Sequence, residues 1–373
     1  MKLGPLPVDT LPPAVASLVH GATPGKLMAV RGMAPLRPAE LLTAIYQLSF
    51  DGDPTVQAAA ESAPAGMPDR ILLGALGERL LPAVLHFFAE RTPATRRPVL
   101  EKILYNQATA DETFVHLAKT LDEQELEIIF QNEVRLLRCP ALVEALYFNK
   151  QARMSSVSRA LELCVRNHVH LDGIPGFAET AAALLADSSA AAPAETDQTF
   201  AAALAQAEML SVDQIEAVPA DEGASAEVVE ADKQRGGTFI KFDELKMHEK
   251  IRLATIGNAY CRRVLIRDTN RLVAMTAVRS PSITPDEIVA AAASRSVCED
   301  VIRFIANSRE HVKHYPVKQA LANNPKCPIS LSLRLISYLH ANDLKNLARS
   351  KNIPGAISSA AKELIQTRKN SGA

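Results

Sequence analysis

Tryptophan is absent from this chain of 373 residues, and aromatic residues together make up only 5% of it. Proteins that hold single-stranded nucleic acids usually stack the bases on aromatic side chains, and neither such a platform nor a known nucleic-acid-binding motif is visible. Alanine and leucine dominate the hydrophobic 47% of the chain, and both residues are strong helix formers. The composition therefore predicts an all-α protein.

Cysteine motifs are lacking as well. The five cysteines are an odd number, and no two of them form a C-x-x-C pair. Neither a disulfide framework nor a zinc module is therefore expected. Free cysteine commonly behaves as a small buried apolar residue, and we expect that of Cys139, Cys164, Cys261, Cys298 and Cys327.

Long apolar runs and catalytic motifs are also missing from the sequence. Residues 1–13 do not resemble a secretory signal, and no run approaches the roughly 20 apolar residues that a membrane helix needs. There is no glycine-rich phosphate loop, G-x-S-x-G or H-E-x-x-H motif, and the H-x-x-H of His311 and His314 has no completing ligands nearby. We therefore expect a cytoplasmic, non-catalytic protein that needs no metal or other cofactor.

A repeat of about 43 residues runs through the sequence. Five segments begin with a branched apolar residue and carry small or apolar residues three and four positions later, which places these residues on one face of a helix. A polar residue at the sixth position is expected to end that helix, because Asn tolerates the left-handed conformation found there. Three of the four intervals between successive segments are 43 or 44 residues, and the fourth is 130 residues. The segments begin at Val56, Leu100, Val143, Val273 and Val317, and their polar residues are Ser62, Asn106, Asn149, Arg279 and Asn323.

A second and a third helix are expected to follow the first helix of each repeat. Pro68, Pro285 and Pro328 fall at the expected first position of the second helix, where the missing N–H costs nothing. Thr109 and Thr284 are expected to cap second helices, with acidic residues in the following turn. The pattern predicts a three-helix repeat, and the alternative is a generic helical bundle in which the similarity arises by chance.

An acidic segment divides the repeats into two groups. Residues 186–236 carry 11 acidic and two basic residues, and with few large apolar residues they are expected to form a disordered linker. The exception is Thr199–Leu210, which is expected to form a short helix, either packed on the repeats or offered to a partner. The linker separates an N-terminal domain, residues 1–185, with a net charge of −3, from a C-terminal domain, residues 237–373, with a net charge of +11.

The period and the number of helices resemble HEAT and armadillo α-solenoids, and also the bacterial leucine-rich-repeat-variant proteins. The segment Glu249–Ile288 looks like a block that recurs in uncharacterised bacterial HEAT-like proteins, as do the stretches ALANNPKCPISLSLRLISYL and LKNLARSKNIP. This resemblance implies a protein-binding scaffold and supplies no catalytic residues. Fold analogy by itself is weak evidence for a function.

Two functions remain open from the sequence. As a protein-interaction scaffold or regulatory adaptor, the stacked repeats would bind a partner in a groove lined by their second helices, where the candidate residues are His116, Arg159, Arg295 and Arg334. Alternatively, the basic C-terminal half binds nucleic acid, or the acidic linker masks it. The plainer interpretation is that its charges form solvated helix faces. Its basic residues include Arg262, Arg263, Arg267, Arg271, Arg279, Arg295, Arg303, Arg309, Lys313, Lys318 and Arg334.

Overall fold

The computed structural model describes residues 3–186, 193–209 and 242–371. Within these ranges the chain forms helices joined by turns and short loops, without any β-strand. None of the helices in the described part is both long and apolar enough to cross a membrane. The all-α class predicted from the composition is confirmed.

The chain divides into two compact units, Met1–Gly173 and Ile174–Ala373. Residues 174–185, which the sequence boundaries assign to the N-terminal domain, belong to the second unit. The helices of the first unit follow a short 3-10 turn at Val8–Thr10. They are α1 (Pro13–Val19), α2 (Thr23–Val30), α3 (Pro38–Leu48), α4 (Pro54–Gly66), α5 (Asp69–Leu76), α6 (Pro82–Arg91), α7 (Arg97–Tyr105), α8 (Asp111–Leu117), α9 (Glu123–Phe130), α10 (Glu133–Arg138), α11 (Pro140–Phe148) and α12 (Met154–Arg166).

The second unit has a 3-10 turn at Phe242–Glu244 and a further set of helices. They are α13 (Phe177–Ala186), α14 (Pro193–Met209), α15 (Met247–Ile256), α16 (Ala259–Leu265), α17 (Arg271–Val278), α18 (Pro285–Ala293), α19 (Glu299–Asn307), α20 (Arg309–Val312), α21 (Tyr315–Asn323), α22 (Ile329–Ile336), α23 (Ala341–Arg349) and α24 (Gly355–Ser371).

The same helix contacts recur along each unit. The second helix of a predicted repeat packs against the first helix of the next, as α5 does on α7, α8 on α11, and α18 on α21. The third helix packs against the first helix of its own repeat, as α6 does on α4, α9 on α7, and α19 on α17. The core of each unit is therefore built from contacts between helices that are close in sequence.

The starts of the second helices agree with the sequence in part. Thr284 caps α18, where its hydroxyl accepts the Glu287 N–H at 3.3 Å and its own N–H donates to the Glu287 carboxylate at 2.8 Å. Pro285 is the first residue of this helix, whereas Pro68 and Pro328 lie one residue before α5 and α22. The prediction that Thr109 caps α8 is wrong, because its buried hydroxyl donates instead to the carbonyl of Ile103 in α7, at 2.6 Å.

The ends of the first helices also differ from the prediction. Asn106 and Asn149 do follow α7 and α11, but their backbone is extended, with φ near −73° and −74°, and not left-handed. In the last repeat the equivalent residue is Asn324, and Asn323 is still helical. Helix α4 continues past Ser62 to Gly66.

The asparagines adopt an extended and not a left-handed backbone because their side chains join successive repeats. The amide of Asn106 donates to the carbonyls of Leu76 and Glu78, at 2.7 and 2.9 Å, while its oxygen accepts the N–H of Ala108 at 3.0 Å. Each such residue ties the end of a first helix to the end of the preceding second helix, and we call this arrangement the asparagine clasp. The two further clasps are Asn149 on Ala118 and Leu121, and Asn324 on Ala292 and Ser294.

Part of the predicted linker is an ordered helix. Helix α14 lies within residues 186–236 and buries Phe200, Leu204 and Ala207. The guanidinium of Arg252 lies 5.0 Å from the centre of the Phe200 ring, and the amide of Asn258 donates to the Ala207 carbonyl. The short helix expected at Thr199–Leu210 is therefore present and packed, and the disorder predicted for residues 193–198 is wrong, because the helix begins at Pro193. Residues 187–192 and 210–236 of the predicted linker lie outside the described residues.

The cysteines are free, as expected. Cys164, Cys261 and Cys327 are buried, whereas Cys139 and Cys298 are half-buried. Burial raises the pKa of the Cys164 thiol to about 11, so this group stays protonated at neutral pH. A protonated, buried thiol is a poor nucleophile, which is consistent with a packing role for Cys164.

Candidate functional site

The four partner-binding candidates lie in different surroundings. His116 is half-buried on α8, with its ring centre 6.0 Å from that of His86, and Arg159 is exposed on α12. Arg334 is exposed on α22 and donates to the carbonyl of Ala306 at 3.2 Å. The expectation that Arg295 lies on a second helix is wrong, because α18 ends at Ala293.

Arg334 lines a pocket of about 360 Å³ that also holds Arg309, Lys313 and Lys318. The side chain of Tyr338 also lines this pocket. We call this the basic pocket. The sequence placed its four cations among eleven basic residues but did not single out Tyr338, whose signal is its position four residues after Arg334, just beyond the end of the helix.

Three consecutive helices position the four cations. Ser308 ends α19 and caps α20, where its hydroxyl accepts the N–H of His311 at 3.4 Å. After this short junction, Arg309 is the first residue of α20, and Lys313 directly follows the last residue of that helix. Lys318 follows on α21 and Arg334 on α22. The cations of the pocket thus come from the short helix α20, which follows the third helix of one repeat, and from the first two helices of the next repeat.

The charge in the basic pocket is not compensated by ion pairs. None of its four cations pairs with a carboxylate in the described residues, and the ion pairs of this unit involve other residues, such as Arg262 with Glu287 at 2.9 Å and Arg303 with Glu299 at 2.5 Å. Arg334 is held by a neutral carbonyl, and the Lys318 ammonium lies 5.1 Å from the centre of the Tyr338 ring. The pocket therefore carries a concentrated positive potential.

Exposed apolar side chains accompany Arg334 on α22 and directly after it. Tyr338 is 62% exposed, Ile329 46% and Leu333 39%. Exposed large apolar residues are common individually on a protein surface. Here Ile329 and Leu333 lie on the helix that supplies Arg334 to the pocket, and Tyr338 lies two residues beyond the end of that helix. This mixture is typical of protein interfaces, where Tyr and Arg are enriched.

The opposite side of α20 lines a different pocket, of about 380 Å³. It contains both histidines of the H-x-x-H sequence, His311 and His314, together with Glu310 and Arg279. Burial lowers the pKa of His311, against the raising effect of Glu310. No group of three or more potential metal ligands occurs within the described ranges. This pocket carries a carboxylate, and so it lacks the uniform charge of the basic pocket.

The first unit uses its arginines differently. Each of several arginines pairs with a carboxylate about 25 to 30 residues away, on or directly before a different helix. The clearest case is Asp111, which accepts from Arg135 at 2.7 Å and from Arg138 at 2.6 Å. The side chain of Arg135 also covers the Phe114 ring, at 3.8 Å from its centre. The other pairs are Arg96 with Asp69, Arg97 with Asp122, and Arg153 with Glu123.

Comparisons of this chain with protein-family models, with curated proteins and with solved structures gave no match.

Proposed function

We propose that the chain is a non-catalytic scaffold or regulatory adaptor that binds an acidic segment of a partner protein. Its architecture in this proposal is an interrupted α-solenoid of the HEAT or armadillo type, located in the cytoplasm. The recurring contacts between second and first helices support this arrangement. So do the asparagine clasps at Asn106, Asn149 and Asn324, because they repeat one geometry at matched positions.

The observation that carries the proposal is the basic pocket. Four cations without carboxylate partners attract an anionic group, and the exposed Tyr338 adds an aromatic contact surface. Electrostatic complementarity of this kind raises association rates and sets partner specificity. His116, Arg159 and Arg295 remain proposed contacts for other parts of the same partner.

Affinity capture with the full chain tests the proposal. The double variant Arg309→Glu/Arg334→Glu reverses two charges in the pocket, and the matched control Lys345→Glu/Arg349→Glu reverses two exposed charges on α23. We expect the wild type and the control to recover the same acidic protein, and the pocket variant to lose it. A partner that is retained equally by both variants would contradict the proposal.

Nucleic acid binding is the second candidate, because the same cations and Tyr338 also suit a phosphate backbone and a stacked base. The position of Lys318 over one face of the Tyr338 ring leaves only the other face for a stacked base. Titration of the full chain with duplex and single-stranded DNA separates the two functions. Submicromolar affinity that falls steeply with salt, about tenfold or more between 50 and 200 mM, would favour nucleic acid over an acidic protein.

A further inference from the structure

We propose that the basic pocket binds the phosphoryl group of a phosphorylated side chain. This inference deepens the proposed function, on which it depends for the nature of the partner. It assigns a ligand chemistry to a defined set of side chains: Arg309, Lys313, Lys318 and Arg334.

The charge of the pocket suits a phosphate monoester better than a carboxylate. At neutral pH a phosphorylated side chain carries a charge of about −1.5 to −2 and presents three strong acceptor oxygens. A glutamate or aspartate carries a single negative charge on two oxygens. Four cations that line one pocket without a carboxylate are more completely neutralised by the phosphate, which also uses more of their N–H donors.

The arginines are placed for directional hydrogen bonding. One N–H of Arg334 donates to the Ala306 carbonyl, which restricts the guanidinium and leaves its other donors available for a ligand. Arg309 lies at the start of α20 and is exposed. A planar guanidinium binds phosphate oxygens through two parallel hydrogen bonds, while lysine ammonium groups act as point charges. The pocket thus combines two guanidinium groups, which form directional hydrogen bonds, with two ammonium groups, which act as point charges.

The form of the pocket favours one compact group over a polymer backbone. Its volume of about 360 Å³ accommodates a phosphorylated side chain, and its cations converge from three helices on one cavity. Nucleic acid binding usually relies on a groove that follows the backbone over several nucleotides. We therefore choose a phosphorylated protein as the source of the phosphoryl group.

Phosphorus NMR of a simple phosphopeptide tests this assignment. The probe is acetyl-Gly-phosphoserine-Gly-amide, titrated with the full wild-type chain, and inorganic phosphate is titrated separately. We expect a saturable change in the phosphorus signal of the peptide, with an affinity at least equal to that of inorganic phosphate. The corresponding Glu peptide, followed by proton NMR, is expected to bind at least tenfold more weakly.

Variants of pocket residues, compared with matched control variants, locate the phosphopeptide-binding site. Arg309→Gln/Arg334→Gln is expected to weaken binding of the phosphopeptide at least tenfold, whereas Lys345→Gln/Arg349→Gln leaves it unchanged. Lys313→Gln serves as a milder pocket variant with an expected loss of several-fold, and circular dichroism confirms that each variant is folded. An unchanged affinity in the folded pocket variants, or the absence of a saturable signal, would overturn the assignment.

The remaining outcomes distinguish the ligand source and separate this inference from the proposed function. Tighter binding of inorganic phosphate than of the phosphopeptide, or much tighter binding of a 12-nucleotide oligothymidylate, also overturns it. A captured protein partner that depends on Arg309 and Arg334, but is bound equally after phosphatase treatment, leaves the scaffold function intact and rejects the phosphoryl ligand. Loss of that partner on phosphatase treatment supports both the scaffold function and the phosphoryl ligand.

Discussion

The side chain of His86 shows how a single buried residue joins two helices of the first unit. Its Nδ1 lies 3.0 Å from the hydroxyl of Thr113 on α8, and its Nε2 lies 3.1 Å from the carboxylate of Glu90 on α6. A carboxylate only accepts hydrogen bonds, so Nε2 is assigned as the donor and Nδ1 as the acceptor of the threonine proton. This arrangement is satisfied by the neutral imidazole.

Stability is expected to depend on pH through His86. Burial lowers its pKa from the ordinary value, and this effect outweighs the raising effect of Glu90. Because the folded-state pKa lies below the unfolded value of about 6.5, the stability that neutral His86 contributes is fully present above that value. It is lost as the pH falls through the folded-state pKa. His86→Gln should therefore lower the melting temperature at pH 7.5 but show a flatter decline towards pH 5 than the wild type.

The control for this experiment is His20→Gln, since His20 is exposed in the same unit. Its melting temperature is expected to follow the wild type across the whole pH range. Parallel curves for His86→Gln and the wild type would show that His86 does not contribute to the pH dependence.

Adjacent asparagines provide a second test at the scale of the residue. The amide of Asn324 is buried and donates to the carbonyls of Ala292 and Ser294, at 2.8 and 2.9 Å, whereas the amide of exposed Asn323 donates to the Gln319 carbonyl of its own helix. Asn324→Ala leaves two buried acceptors without a partner, which costs about 1–3 kcal/mol. Asn323→Ala is expected to change the free energy of unfolding by less than about 0.5 kcal/mol. Urea unfolding measures both, and equal losses would contradict the clasp.

The asparagines also show what periodicity can predict. A spacing of 43 residues was sufficient to place Asn106 and Asn149 at the ends of equivalent helices. It did not reveal their carbonyl partners, which lie about 30 residues away and depend on the packing of successive helices. The count of six positions chose Asn323, but α21, which has nine residues like α7 and α11, ends one residue later relative to Val317, and the packing uses Asn324.

At the scale of the element, helix α14 marks the limit of reasoning from composition. Acidic and alanine-rich sequence predicts disorder for residues 186–236, with Thr199–Leu210 as the exception, because charge and small residues offer little burial. Helix α14 buries Phe200, Leu204 and Ala207 within that exception, and it begins six residues earlier, at Pro193. Residues Phe200, Leu204 and Ala207 have the spacing of one helical face, so the local pattern was the better guide than the average composition.

The junction between α15 and α16 requires glycine for steric reasons. A Cβ atom on Gly257 would lie 2.4 Å from the Leu253 carbonyl oxygen and 2.8 Å from the Cβ of Cys261. Gly257→Ala must therefore displace the backbone, and we expect a loss of about 1–3 kcal/mol. Gly74 in α5 is the matched position, because nothing lies within 4 Å of an added Cβ. Gly74→Ala should raise the stability by about 0.5–1 kcal/mol through helix propensity.

Chemical denaturation of the two glycine variants under identical conditions measures whether Gly257→Ala loses stability and Gly74→Ala gains it. Opposite signs of the change in free energy are the expected result. A neutral Gly257→Ala variant would show that the junction relaxes without cost.

At the scale of the whole molecule, the two units differ in net charge, and both contain ion pairs between helices. Sequence counting predicts a net charge of +11 for residues 237–373 and −3 for residues 1–185. It does not predict that arginines of the first unit join different helices by ion pairs, as Arg135 does at 2.7 Å from Asp111. Nor does it predict that the second unit gathers Arg309 and Arg334 in one pocket. Counting yields the balance of charges, whereas only the packing of helices determines which charges remain available to a partner.

The division into two compact units has a thermodynamic consequence. Each unit has its own buried core, so we expect calorimetry of the full chain to show two unfolding transitions. The variants assign them, because His86 lies in the first unit and Asn324 in the second. His86→Gln should lower one transition at pH 7.5, and Asn324→Ala should lower the other by several degrees. A single transition that both variants shift equally would instead mean that the chain unfolds as one cooperative body, with the two groups of repeats energetically coupled.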